Sequence, residues 1–271
     1  MANQKKNQQQ NGAMMPIIIA LVALLVIVLA VAAAILIPAL RDGTFSAGDE
    51  TTAQTSAETN ASTKPTEGVA VDMTAVAKEI NSMHAADFTA SSTATEYVKI
   101  TIAEYGDVIV RLRADVAPLT VKNFQKLVGE KFYDGLTFHR VMQDFMIQGG
   151  DPKGDGPKGD GTGDAPNKIK GEFKNNGVTN NLGHIKGVIS MARGSYSMDS
   201  ASCQFFICNS DSTSVKSLDG SYASFGYVLA GMDIVDAVSA VEVDYDSTGR
   251  EQSVPKEKIT IESISFVQPK K

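Results

Sequence analysis

The chain has 271 residues, a formal net charge of −6, two cysteines and no tryptophan. Lys5 and Lys6 are the only charged side chains before residue 41, so the remainder carries −8. A mildly acidic body without a basic stripe excludes nucleic acid as the main partner. With no CxxC and no His/Cys cluster, no metal site and no cofactor is expected.

Residues 1–15 are polar and rich in Gln and Asn. Ile17 to Ile37 then runs without a charge or strongly polar group, long enough to span a bilayer as a helix. Two readings compete for it: an uncleaved signal anchor, or a signal peptide cut near the alanines at 30–34. The apolar run continues through Ile35, Leu36 and Ile37, which favours the anchor. Lys5 and Lys6 before the span, against Arg41 after it, put residues 1–15 in the cytoplasm and the body outside it. The expected organisation is therefore a cytoplasmic tail at 1–15, a transmembrane helix at 16–40 and a flexible stalk at 41–95. A folded domain follows at 96–268, single-pass and extracytoplasmic at the cell membrane.

The stalk is assigned on composition: Thr, Ser, Ala, Glu and Asn with few large apolar side chains. Within it, Val71, Val76, Ile80 and Met83 form the apolar face of a possible short helix. Tyr97–Ala103 and Asp107–Leu112 read as a β-hairpin. Pro118–Val128 reads as a helix, with Pro118 at the first helical position and Val121, Phe124, Leu127 and Val128 on one face.

Leu136–Met142 and Phe145–Gln148, flanking Gln143-Asp144, predict a second hairpin. It sets Arg140 among Phe138 and Met142, and a permanent charge among apolar groups is costly unless paired or used. A regular strand would send the adjacent Phe145 and Met146 to opposite faces. The Gly/Asp/Pro/Lys-rich stretch 149–167 is loop; its aspartates lack the spacing of an EF-hand. Strands are predicted at Gly187–Ala192, Cys203–Cys208, Ser224–Leu229 and Ile259–Val267, with a helix at Met232–Val241. Cys203 and Cys208 lie on opposite faces of their strand, roughly 17 Å apart, and read as buried structural thiols. His139 beside Arg140 invites a general-base role, and His184 lies in a loop without a visible partner.

Several stretches carry a resemblance: FHRVMQDFMIQGGD (138–151), GVISMAR (187–193), SCQFFIC (202–208), LDGSYASFG (218–226), GEF (171–173) and APLTVKNF (117–124). In family order over residues 96–268, they resemble a cyclophilin, a peptidyl-prolyl cis-trans isomerase of bacterial type. The resemblance implies a closed eight-stranded antiparallel β-barrel capped by two helices. It implies Arg140 as the catalytic arginine and Gln148 as the glutamine that holds it. It implies Phe145, Met146, Phe206, Leu218 and Tyr222 around the proline pocket, Gln204 as a polar contact, and Ala192 and Arg193 beside the bound peptide. Arg193 stands where the family often has Asn, Tyr222 where it has a pocket histidine, and Ser217 where many eukaryotic members have Trp. That tryptophan contributes to cyclosporin binding in the family, so strong cyclosporin sensitivity is not expected. The implied partners are proline-containing peptides or unfolded chains, met by a monomeric domain tethered to the membrane. The rival reading is a membrane-anchored, non-catalytic proline-peptide binding module or chaperone.

Overall fold

The computed structural model describes residues 68–154 and 161–271. The expected transmembrane helix and the stalk up to residue 67 lie outside the described residues. Among the described residues no helix is long and apolar enough to cross a membrane.

Eleven strands and four α-helices make up the described chain. Nine strands form one antiparallel ladder: β1 (Phe88–Ala90), β2 (Tyr97–Ile102), β3 (Gly106–Leu112), β4 (Phe138–Met142), β5 (Met146–Gly149), β6 (Val188–Met191), β7 (Phe205–Cys208), β8 (Ala223–Ala230) and β11 (Ile261–Pro269). Their order is β1-β11-β2-β3-β8-β6-β7-β5-β4. β9 (Val243–Tyr245) and β10 (Gln252–Pro255) form a separate hairpin, and β10 packs against β4.

The sheet is thus not the closed eight-stranded ring that was expected. It has nine strands, and its ladder is open between β4 and β11. Among the described residues an isolated bridge, Thr137 to Thr260, crosses that gap, with backbone hydrogen bonds from Gly135 N to the Ile261 carbonyl, Ile261 N to the Leu136 carbonyl and Phe138 N to the Ile259 carbonyl. The physical reason lies after the bridge: the register of β4 slips between Phe138 and Arg140, and β4 packs against β10 rather than continuing along β11.

The elements follow from pattern. Along β2 burial alternates, with Val98, Ile100 and Ile102 inward, as a strand with one solvated face requires. β8 is buried at every position. Gly226 sits where β3 crosses it; a Cβ there would lie 2.4 Å from the Arg111 carbonyl oxygen. The helices are α1 (Met73–Glu79), α2 (Pro118–Gly129), α3 (Thr213–Lys216) and α4 (Met232–Ser239). α2 and α4 match the two expected helices. Phe124 of α2 is fully buried and meets Tyr133, Phe205 and Phe225 at ring distances of 5.2, 5.6 and 5.1 Å.

The N-cap residue of α2, Ala117, offers no side-chain acceptor. Glu172 supplies one from 52 residues away. Its carboxylate accepts from Leu119 N (3.0 Å), Thr120 N (2.8 Å) and Thr120 Oγ1 (2.8 Å). An anion at a helix N-terminus satisfies donors the helix leaves open and opposes its dipole. Glu172→Ala should cost about 3 kcal/mol, because buried donors lose a charged acceptor. The denaturant midpoint checks this; a cost under about 1 kcal/mol would mean that water replaces the carboxylate without penalty.

The folded unit begins well before Glu96, where the stalk was expected to end. Val76 of α1 is buried, and Val71, Met73, Ile80 and Met83 pack against the core; a short helix does form here, but of the four residues read as its face only Val76 lies within Met73–Glu79, and Val71, Ile80 and Met83 flank it. Asn81 N and Met83 N donate to the carbonyls of Val228 and Leu229. The Asn81 side chain accepts from Gly231 N and Met232 N and so caps α4. β1 pairs with β11 from Phe88–Pro269 to Ala90–Val267. Polar composition hid this segment because a few well-placed apolar residues are enough to hold it.

Candidate active site

β4 and β5 form the predicted hairpin, with Arg140 directly opposite Gln148. The register shifts between Phe138 and Arg140. This irregularity at His139 splits the strand's duties, since a bulge re-aims the side chains that follow it. Phe138 joins the main core, whereas Met142 packs in a second cluster beside Arg140.

That cluster is built on Met146, Phe206, Cys208 and Val215, with Met142, Phe145, Ala192, Leu218 and Tyr222 packed against it. All of the apolar residues assigned to the proline pocket therefore meet in one place. Phe145 and Met146 both reach it because Phe145 lies in the turn, outside β5. Asp144 before it is in left-handed backbone (φ 59°), which breaks the alternation of a regular strand. Phe206 meets Tyr222 edge-on at 5.8 Å. Leu218 follows α3, whose C-cap Ser217 bonds the Ser214 carbonyl.

His184 does have partners, contrary to expectation. It is buried and its ring stacks on Phe206 at 6.1 Å. Nδ1 lies 2.8 Å from Asp219 and Nε2 lies 3.0 Å from Ser190 Oγ. Burial pushes the Asp219 carboxyl up, but the bonds from His184 outweigh it and hold the group below its ordinary value. The sequence signal was Asp219 inside LDGSYASFG, too far from His184 in the chain to pair by inspection. His139 is also buried.

Arg193 folds back rather than reaching outward. Its guanidinium lies 5.3 Å from the Phe173 ring centre and 5.0 Å from that of Tyr222, and Nε donates to the Ser221 carbonyl. It braces the pocket wall by stacking. The Ala192 N–H donates to the Gln204 carbonyl. Between Ala192–Gly194 and Gln204 opens a cavity of about 280 Å³.

Two glutamines connect the arginine to the loop after β5. Arg140 Nη1 donates to Gln148 Oε1 at 3.2 Å. Gln148 Nε2 donates to Gln204 Oε1 at 2.9 Å. Gln204 Nε2 donates to the carbonyls of Gly161 and Gly163 at 2.8 and 2.7 Å. Thus Arg140, Gln148 and Gln204, assigned separately from sequence, form one relay.

Sequence reading missed Glu251. Its carboxylate accepts from Arg140 Nε at 2.6 Å and Nη2 at 2.8 Å. The Arg140 guanidinium holds the Glu251 carboxyl below its usual range. The pair is therefore intact at neutral pH and is lost only as pH falls through that lowered value. No local pattern marks a residue 111 positions away from the arginine.

Cys203 and Cys208 are both buried and free. Burial pushes the Cys208 thiol far up, so it serves as pocket wall and not as a nucleophile. Among the described residues no group of His, Cys, Asp or Glu could hold a metal ion.

The sequence profile of the family described as "Cyclophilin type peptidyl-prolyl cis-trans isomerase/CLD" matches residues 97–266. Peptidyl-prolyl cis-trans isomerase B of Escherichia coli is 40% identical over 168 residues, covering 59% of this chain and 94% of that protein. A peptidyl-prolyl cis-trans isomerase of Acinetobacter baylyi is 37% identical over 163 residues, covering 59% and 80%. A Cryptosporidium parvum cyclophilin type isomerase, solved in the presence of the dipeptide Ala-Pro, aligns with a TM-score of 0.53 at 27% identity, covering 63% and 98%. The chain belongs to the cyclophilin-type peptidyl-prolyl cis-trans isomerase family. Its activity is the cis-trans isomerisation of X–Pro peptide bonds.

Proposed function

We propose that Arg140 performs this reaction over the Phe145, Met146, Phe206, Leu218 and Tyr222 pocket. The observation that carries the reading is an arginine fixed cross-strand from Gln148 at the rim of an apolar cluster separate from the core. Rotation about a peptide bond faces a barrier of about 18–20 kcal/mol, because resonance shares the nitrogen lone pair with the carbonyl. In the twisted transition state that lone pair is localised on the proline nitrogen. A donor aimed at it favours the twisted form over both planar forms. Arginine is well suited to this role, being always charged and offering a rigid fork of donors. The apolar pocket seats the proline ring and excludes water, which strengthens the arginine's field. Gln148 holds the guanidinium, Gln204 and the Ala192–Arg193 segment flank the peptide, and no nucleophile, general base or metal is required. An isomerisation assay on the Arg140→Ala variant tests the assignment. It also separates it from the rival binding-module reading.

The enzyme is further proposed to be a monomeric, bacterial-type member that works outside the cytoplasm, tethered to the membrane by residues 16–40. The apolar run at 17–37 and the lysines before it support this reading. Its clients would be secreted or surface proteins, for which X–Pro exchange is slow enough to limit folding. Protease added to intact cells should release the folded domain from a membrane-bound stub. Full-length protein that survives such treatment, yet is cut after lysis, would place the domain on the other side.

A further inference from the structure

We propose that Glu251, in the turn leading into β10, is a positioning residue for catalysis that sets which donors of Arg140 face the substrate. The inference rests on Arg140 being the group that meets the twisted amide. A guanidinium carries five N–H donors in a fixed plane. Glu251 takes the Nε–H and one on Nη2; Gln148 takes one on Nη1. One N–H on each terminal nitrogen is left. Nη2 lies 3.2 Å from Met142 Sδ and Nη1 lies 3.7 Å from Met146 Sδ. Thioether sulfur is a weak acceptor. The remaining donors therefore face the apolar cluster half-satisfied and exchange to a substrate nitrogen or carbonyl at little cost.

The grip is geometric. A carboxylate that meets a guanidinium edge with both oxygens fixes the plane and not only the position of the charge. Gln148 alone, through one bond to Nη1, would leave that plane free to turn about the bond. Glu251 is itself held firmly. Asp246 Oδ1 accepts from Arg250 N (2.9 Å), Glu251 N (3.4 Å) and Thr248 Oγ1 (2.9 Å). The Glu251 carbonyl accepts from Asp246 N at 2.7 Å, and Gly249 supplies the left-handed residue the turn needs (φ 69°). The β9–β10 hairpin, packed on β4, thereby becomes a bracket for the catalytic side chain. This suits a reaction catalysed by orientation, where a misplacement of about 1 Å can cost 10²-fold.

The test measures kcat and KM separately for Glu251→Ala and Glu251→Gln beside Arg140→Ala, with the Arg140 Nε–H followed by nitrogen-detected or proton–nitrogen correlation spectra. Glu251→Ala should lower kcat about tenfold, leave KM within about twofold and abolish the slowly exchanging Nε–H signal. Glu251→Gln, which keeps one acceptor oxygen, should fall between Ala and wild type. A lower KM with a raised kcat/KM would overturn the proposal, since Glu251 would then compete with substrate. Unchanged kinetics in both Glu251 variants beside an inactive Arg140→Ala would also overturn it, leaving the arginine's role standing. Full activity in Arg140→Ala would overturn both.

Discussion

Replacing Arg140 with alanine should lower kcat/KM for X–Pro isomerisation by about 10²–10³-fold, the scale of losing one preorganised transition-state donor. The loss should fall on kcat, because the apolar cluster that seats the proline stays in place. The fold should survive. Arg140 is about one-third exposed, and Glu251, left without its partner, is exposed enough for water to take over. Arg140→Lys should recover little: an ammonium is a point charge without the fork that engages Glu251 and Gln148 together. The check is a proline-peptide isomerisation assay on the folded protein. Near-normal turnover by Arg140→Ala, with an unchanged melting temperature, would mean that the pocket alone lowers the barrier.

A chain beginning at Glu96 should be far less stable than one beginning at Gly68, although the family match starts at residue 97. The missing segment buries Val76 and Phe88, caps α4 through Asn81 and pairs a strand with β11. It also brings Glu79 to Arg111 at 3.0 Å and to the Tyr227 hydroxyl at 2.6 Å. The two apolar side chains alone account for about 3–6 kcal/mol, against a total of about 5–15 kcal/mol for a typical domain. Melting temperatures of the two chains should differ by about 10 °C or more. Equal melting temperatures would show that the segment only decorates the sheet. Activity per folded molecule should not change, since the segment's bonds run to β3, β8, β11, α4 and residues 181–183 and not to the Arg140 hairpin.

The contrast between that segment and the rest explains what could be read in advance. Strands such as Tyr97–Ile102 declare themselves by alternation, and α2 by Pro118 and its three- and four-residue steps. The pocket was readable because its side chains lie in short motifs. Phe145 and Met146 needed the left-handed Asp144 before both could serve it. What escaped was long-range: Glu172 capping α2, Asp219 holding His184, Glu251 gripping Arg140. Each is a single polar residue whose partner lies tens of residues away, and no periodicity records such a pairing. The ring closure failed for a related reason. Whether edge strands stay paired depends on how a strand runs on after its first bridge, and the register slip between Phe138 and Arg140 sets that for β4.

The relay from Arg140 to Gly161 and Gly163 has a direction as well as a path. At one end two carbonyl oxygens can only accept, so the amide nitrogen of Gln204 must face them. Its oxygen then faces Gln148, whose own oxygen is turned to the guanidinium, which can only donate. Both ends demand the same pair of amide orientations, and turning either glutamine over sets like groups against each other at two junctions. The chain of bonds is polar in one sense only. A glutamate at position 204 could not stand in for the glutamine despite its equal size, because it would present oxygen to the two glycine carbonyls, where a donor is required.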